Sequence, residues 1–471
     1  MAQLIAPEVD ARRDPRHALR ADSVRFIGTV GTAVGIQAPT GGVTFLPALM
    51  AGIVGGAGPL AFGLAVVAML FVAYAFITFT RHYSSAGSVY AFNGLALGST
   101  YGFLSVWALF GVYVAYAASV YCSNANILEN LLHQGAIDIP WPLVALAFWA
   151  ATIALAFLSI TVSSALIFVL EGVSLVLVAV VAVAVIGHGG YHGHGITATP
   201  LVPAGLGLAA LGPGIVFAFT GFSGFEVAAT LGEEAGHPRR VISLSIVTAL
   251  LVSGAVYTLM SWVETIGFAS PTALSQATVP LVDVARIYVS PTMATLVNIA
   301  AVISGFGAQL ACVNGANRLL FAVGRAGFGG RWLTRTDPTR RSPIGALAVV
   351  AALSLIAFLP FTVVAPLDAY FDLATYGADL IIVVYLLTVI AAFVLSLRQR
   401  RNPVQLVTLL AGVVVVGYVL KGTVYPIPPH PFDYCIDAAG ITLVAGAGLL
   451  ALSPALRRAL RAAPLFAVNA R

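Results

Sequence analysis

The sequence predicts an all-α integral membrane protein of twelve transmembrane helices, ten of them forming a five-plus-five inverted repeat in which helices 1 and 6 are discontinuous. Three observations carry that prediction. Of 471 residues, 59% are apolar and 9% charged, where an ordinary soluble domain is about a quarter charged. Apolar runs of roughly 20 residues, long enough to cross a bilayer, recur along the whole chain. Two of these runs, the first and the sixth, are interrupted by glycine-rich segments.

The runs lie near 26–49, 58–80, 100–126, 141–160, 163–187, 207–232, 240–265, 291–321, 343–363, 368–396, 402–421 and 436–453. The first 25 residues are polar, hold Arg12, Arg13, Arg16, Arg20 and Arg25, and lack a short apolar core with a cleavage site, so they read as a tail and not as a signal peptide. Lys and Arg of short loops stay on the cytoplasmic side of a membrane. With the N-terminus inside, Arg81, Arg239, Arg240, Arg325, Arg331, Arg335, Arg340, Arg341, Arg398, Arg400 and Arg401 all fall in inner loops, and Arg457, Arg458, Arg461 and Arg471 in an inner C-terminal tail. Only Arg286 and Lys421 fall outside, and Arg318 within a span. A wrong span count would scramble this alternation, so it supports twelve helices in the cell membrane with both termini cytoplasmic.

No polar stretch between the tails is long enough for a separate soluble domain. The expected organisation is a cytoplasmic tail over 1–22, one membrane domain over 23–455 and a second tail over 456–471. Within the membrane domain, repeat one covers about 23–190, repeat two about 205–397 and two accessory helices about 402–453. The net charge of +5 follows from the loop arginines, which are scattered and form no basic face for nucleic acid. Cys122, Cys312 and Cys435 are far apart and suggest neither a disulfide framework nor a metal site, and no cofactor motif occurs. The absence of a GxxxxGK[ST] loop argues against an ATP-driven pump within this chain.

The interruptions are Gly35-Ile-Gln-Ala-Pro-Thr-Gly-Gly42 and Phe219-Thr-Gly-Phe-Ser-Gly-Phe225. Unpaired backbone groups cost several kcal/mol in lipid, so a broken membrane helix survives where it lines a cavity or holds a ligand. Paired breaks in two halves point to the central site of a secondary transporter. An odd number of crossings per repeat makes the second copy enter from the opposite face, and the connectors 81–99 and 266–290 fall on opposite sides accordingly. At the breaks, Gly41, Gly42, Gly221 and Gly224 let backbone approach a ligand; alternatively they serve close helix packing. Half-helix N-termini favour a carboxylate and C-termini an ammonium, a pairing that suits an amino acid.

Ionisable residues within spans are functional candidates. Glu171 in the fifth span and Glu226 just after the sixth-span break are both placed to carry a proton, although Glu171 also reads as a carboxylic acid bonded to a neighbouring helix. Asp379 near the outer end of span ten reads as an interfacial carboxylate or as an attraction for a cationic solute. The loop GHGGYHGHG with His188, His192 and His194 reads as a plain surface loop. The isolated glutamates do not make the clustered acid, base or metal ligands of an intramembrane enzyme.

Three segments together resemble the amino acid, polyamine and organocation (APC) superfamily of permeases, which have the LeuT-type fold. FAFTGFSGFEVAATLGEEAGHPRRVIS (217–243) is similar to the family's sixth span and following loop, with Gly224, Phe225, Glu226, Glu233, Glu234, Pro238 and Arg240. NRLLFAVGRAGFGGRWL (317–333) resembles the end of span eight, with Arg318 and Arg325, and PTGGVTFLPA (39–48) the first-span motif. The resemblance covers roughly 20–400 and implies an amino acid permease that works by alternating access. It implies that substrate is held at Ala38, Thr40, Gly41 and Gly42 of the first break and at Thr220, Gly221 and Ser223 of the sixth. Members commonly have an aromatic gate at the position of Thr220; here the aromatics are Phe219 and Phe222. Some proton-coupled members place a Lys where Glu171 stands, and the span-eight segment near Ser304 lacks the adjacent Ser/Thr pair of sodium-driven relatives. The expected partners are therefore an amino acid or amine, a proton and the lipid bilayer, with an exchanger or polyamine carrier as the alternative.

Overall fold

The computed structural model describes residues 19–462 except 84, 135–137, 159, 194–195, 203–206, 401 and 429. Among the described residues the chain is helical and contains no strand, only two isolated bridges. The elements are α1 (Phe26–Gln37), α2 (Pro39–Val43), α3 (Leu46–Val54), α4 (Gly58–Thr80), α5 (Val89–Leu97), α6 (Ser99–Gln134), α7 (Trp141–Ala156), α8 (Ile160–Gly187), α9 (Leu208–Gly221) and α10 (Val227–Thr230). There follow α11 (Pro238–Gly267), α12 (Pro271–Ser275), α13 (Pro280–Tyr288), α14 (Pro291–Arg325), α15 (Ile344–Phe358), α16 (Pro366–Arg398), α17 (Pro403–Val424), α18 (Phe432–Leu452) and α19 (Pro454–Ala462). Proline occupies the first turn of many of these, where its missing N–H has no intrahelical partner to lose. Ser290 caps α14 and Asn402 caps α17 by accepting from the N–H of Met293 (3.1 Å) and Val404 (2.9 Å).

Among the described residues nine helices are long and apolar enough to cross a bilayer on their own. The other three predicted spans hold shorter pieces, for physical reasons. Span one breaks at Ala38 into α1 and α2–α3, span six breaks after Gly221 into α9 and α10, and span four is the 16-residue α7. The count of nine spans among the described residues therefore differs from the twelve expected runs at the two breaks and at the short α7.

The repeat is visible in element lengths. Helices at matching positions in the two halves are α6 and α14 with 36 and 35 residues, and α7 and α15 with 16 and 15. Each half also has a short helical connector after its second span, α5 in one and α12–α13 in the other. The sequence reads both as plain connectors; α13 forms because Leu281, Val284 and Ala285 bury one face while Arg286 and Ile287 stay out.

The core is where α1 packs on α8, α11 and α14, and α16 packs on α6. α8 turns Val169, Val173, Val176, Val180 and Val183 outward, three or four residues apart, a continuous apolar stripe suited to lipid. α17 and α18 pack on α16 from outside and leave Val404, Val407, Leu410, Val414, Ile441 and Val444 exposed, as additions to a ten-helix core would.

Candidate functional site

The first break is made by Ala38, whose backbone is left-handed (φ 40°, ψ 59°). A non-glycine residue in that region costs of order 1–3 kcal/mol and survives where its surroundings impose it. Those surroundings are Gln37 and the residues that grip it. The Gln37 amide Nε2 donates to the Phe222 carbonyl at 2.8 Å, the Ser253 hydroxyl donates to Gln37 Oε1 at 2.7 Å, and the Tyr257 hydroxyl donates to the Gln37 carbonyl at 2.8 Å. The two breaks are thus tied to each other and to α11.

At the second break, α9 ends at Gly221 and the chain turns through Gly224, at φ +115°. A side chain there would be strained and would collide with Ile36 of the first break. A Cβ at Gly42 would run into the Tyr257 ring, whereas at Gly41 and Gly221 the nearest atoms lie at 3.7 and 3.5 Å, ordinary contacts. The four glycines therefore separate: Gly42 and Gly224 permit the breaks to pack together, while Gly41 and Gly221 have room beside them. Ala38, Gly41, Gly42, Thr220 and Gly221 are half-buried among fully buried neighbours.

The N–H groups at the start of α2 have partners. Thr40 N–H donates to Glu171 Oε1 and Gly41 N–H to the Ser304 hydroxyl, each at 3.3 Å. Glu171 is buried, with Oε2 taking no hydrogen bond, and the Thr40 hydroxyl is likewise buried and unpartnered. At the sixth break the Thr220 hydroxyl returns to the Phe217 carbonyl (2.8 Å), and the Ser223 hydroxyl bonds the Thr220 carbonyl (2.7 Å) and the Tyr116 hydroxyl (2.9 Å).

Glu226 has a different environment from Glu171. It accepts from the Gly224 N–H (2.9 Å), the Tyr113 hydroxyl (3.0 Å) and the Tyr385 hydroxyl (2.6 Å), joining the sixth break to α6 and α16. All three partners donate, which suits a carboxylate that only accepts. Phe219, Phe222 and Phe225 are fully buried: Phe222 stands edge-on to Phe62 and Tyr257, Phe225 stacks on Tyr385, and Phe219 meets Tyr385 edge-on. Half-buried aromatics near the breaks include Phe217, whose carbonyl accepts the Thr220 hydroxyl, and Tyr116, bonded to Ser223; Tyr370 is half-buried 6.5 Å from Phe45.

One end of the bundle is latched. Ser23 and Val24 donate to the Glu234 carbonyl, and the Gly236 N–H donates back to Val24. The Arg318 guanidinium meets the Glu234 carboxylate at 2.5 Å with 3% and 2% of the side chains exposed, and also holds the Asn314 carbonyl. Arg325 pairs with Glu233, which accepts the Ala86 N–H at 3.0 Å. Burial opposes the Glu233 charge, but the Arg325 guanidinium and the Ala86 N–H outweigh it and hold the carboxyl below the ordinary glutamate range.

Asp379 on α16 is buried and not interfacial, its Oδ2 taking no hydrogen bond among the described residues, and Gly377, two residues earlier, packs on the Tyr116 ring. His188 bonds the Ala184 carbonyl and rests on Tyr288, His192 packs on Tyr191, and His194 lies outside the described residues. Among the described residues no group of three His, Cys, Asp or Glu side chains is placed to hold a metal.

The structure brings Thr40, Glu171 and Ser304 together and joins the two breaks. Residues 26–433 match the amino acid permease family, and the chain belongs to it. Among relatives, an uncharacterized transporter of Mycobacterium tuberculosis is 29% identical over 82% of this chain and 84% of its own length. The branched-chain amino acid permease BcaP of Bacillus subtilis is 24% identical over 79% of each chain. The low-affinity putrescine importer PlaP of Escherichia coli is 26% identical over 75% of this chain and 77% of its own. The fold resembles that of a manganese transporter from Eremococcus coleocola (TM-score 0.56, 14% identity, 92% of this chain and 95% of that one). The chain is a multi-pass membrane transporter of the APC superfamily with a LeuT-type fold.

Proposed function

We propose that this permease moves amino acids across the cell membrane by alternating access, with substrate held between the two breaks and transport coupled to protons through Glu171. The observation that carries the reading is the bond from Thr40 N–H to Glu171. A substrate carboxylate drawn to the start of α2 meets N–H groups already facing Glu171 and Ser304. Two carboxylates at one pair of N–H groups repel unless one is protonated, so binding of substrate and of a proton favour one another. The half-buried Gly221 backbone at the end of α9 is placed for the ammonium end of the same molecule. Glu226, with its three donors, braces the sixth break against α6 and α16 and leaves the proton to Glu171. The latched end, with Arg318, Arg325 and the loop arginines, is the cytoplasmic face under the positive-inside rule.

The test is uptake by proteoliposomes of labelled amino acids, with each unlabelled amino acid and putrescine as competitors. Saturable uptake suppressed by neutral amino acids supports the reading; uptake of none of them refutes it. The second reading, an exchanger or polyamine carrier, is favoured by the relationship to a putrescine importer. It predicts that putrescine is the strongest competitor. Asp379, the sequence's one hint of a cation preference, is buried with Oδ2 taking no hydrogen bond among the described residues.

A further inference from the structure

We infer that Gln37 is a positioning residue: through its side chain the first break sets the place of the sixth-break backbone, and thereby the fit of substrate between them. The inference rests on the breaks being the substrate site.

Four features converge on this one amide. Gln37 is buried at the last position of α1, where a helix carbonyl has no intrahelical partner. Its carbonyl is taken by Tyr257, its Oε1 by Ser253 and its Nε2 by the Phe222 carbonyl, so all three groups point into protein and none into the space beside Gly41. The Nε2 bond fixes which carbonyl of the sixth break is occupied. Phe222 is committed to Gln37, and the Thr220 carbonyl to the Ser223 N–H and hydroxyl, while among the described residues the carbonyl of Gly221 between them accepts from no backbone N–H or side chain outside its helix.

The amide is also held in one orientation. Ser253 has a hydroxyl to give to the side-chain oxygen, and the Phe222 carbonyl can only accept, so the oxygen faces Ser253 and the nitrogen faces Phe222. Around it, Tyr257 stacks on Phe62 at 5.4 Å and meets Phe222 edge-on at 5.2 Å, so the residue that donates to Gln37 also confines the ring of the residue that Gln37 binds. A shift of α1 therefore moves the 222 backbone with it. A buried amide with every group satisfied specifies one arrangement, and losing one partner strands the other.

Three substitutions separate positioning from bulk support. Gln37→Leu removes both side-chain bonds. Gln37→Glu keeps the volume and the acceptor for Ser253 and, as the ionised carboxylate at alkaline pH, loses the donor to Phe222. Ser253→Ala spares the Phe222 bond. The measurements are amide hydrogen exchange of the 219–226 segment in the substrate-free protein and KM and Vmax for uptake in proteoliposomes. The expected result is at least tenfold faster exchange over 219–226 in both Gln37 variants, with the 403–424 segment unchanged. KM rises at least tenfold while Vmax stays within twofold, and Ser253→Ala lies nearer wild type on both readouts. Exchange over 219–226 within twofold of wild type in Gln37→Glu overturns the inference. Faster exchange with an unchanged KM overturns it as well, since Gln37 then only braces the fold. If the wild-type protein carries no amino acid or amine, the functional reading fails by itself, and the exchange measurement still decides whether Gln37 positions the break. If Gln37→Leu does not fold, Gln37→Glu carries the test.

Discussion

Replacing Gly42 by alanine adds one methyl group at the most crowded point of the first break. The new Cβ would run into the Tyr257 ring carbons and hydroxyl. That ring cannot step aside cheaply, because Phe62 stacks on one face at 5.4 Å and Phe222 meets it edge-on at 5.2 Å. Overpacking of this kind costs about 1–3 kcal/mol. Pushing the ring also breaks the 2.8 Å bond from Tyr257 to the Gln37 carbonyl, worth about 1 kcal/mol. Against this, alanine gains about 1 kcal/mol over glycine in a helix. The net loss is about 1–3 kcal/mol, and it falls where the two breaks meet.

Gly41→Ala is the control, in the same helix with the same propensity gain, yet its Cβ would find Ala38 at 3.7 Å and Ser304 at 3.8 Å. Thermal unfolding of the purified protein and proteoliposome uptake measure both variants. Gly42→Ala should melt lower by roughly 2–6 °C on the scale of larger domains and lose most uptake, whereas Gly41→Ala should melt no lower than wild type. Equal melting temperatures for the two variants would refute the packing argument. So would wild-type behaviour of Gly42→Ala.

Three further outcomes are expected. Gly224→Ala forces a side chain into the strained φ of +115° and against Ile36, so it should fold poorly or lose uptake outright, checked by monodisperse yield and transport. Glu234→Gln leaves the Arg318 charge buried without its anion. Breaking such a pair costs about 3–5 kcal/mol, read as a large fall in melting temperature that Arg318→Met in the same chain partly recovers. Glu233 is held below its ordinary range by Arg325, so its contribution is fully present above the unfolded glutamate value of about 4.3. That contribution is lost as pH falls through the lower folded value. The melting temperature of Glu233→Gln should therefore fall less than that of wild type on acidification below about pH 4.3.

Much of the fold was legible in the sequence because a bilayer imposes a simple rule: long apolar runs cross it and arginines collect on one side. The glycine and proline clusters at 35–42 and 219–225 marked the breaks because regular helix needs neither residue. Glu171 stood out as a charge in an apolar run, and the structure joins it to Thr40. What was not legible is the set of partners far apart in sequence. Gln37 lay inside the quoted first-break segment, yet its bonds run to Phe222, Ser253 and Tyr257, some 185 to 220 positions away. Tyr113 and Tyr385 look like any aromatic in a span until the fold brings both to Glu226. Which glycines are needed for packing and which leave room depends on the facing helix, and no local pattern encodes that. The short connectors α5, α12 and α13 were hidden for the opposite reason, since fewer than ten residues give too few turns for a periodic pattern to stand out.

The most direct test of the account is concentrative uptake by proteoliposomes under an imposed inward proton gradient, comparing wild type with Glu171→Gln at matched protein content. The account predicts that the gradient drives wild type to accumulate substrate, while Glu171→Gln equilibrates or exchanges substrate without accumulating it and gives the same KM across pH. Gradient-driven accumulation by Glu171→Gln equal to that of wild type would contradict it.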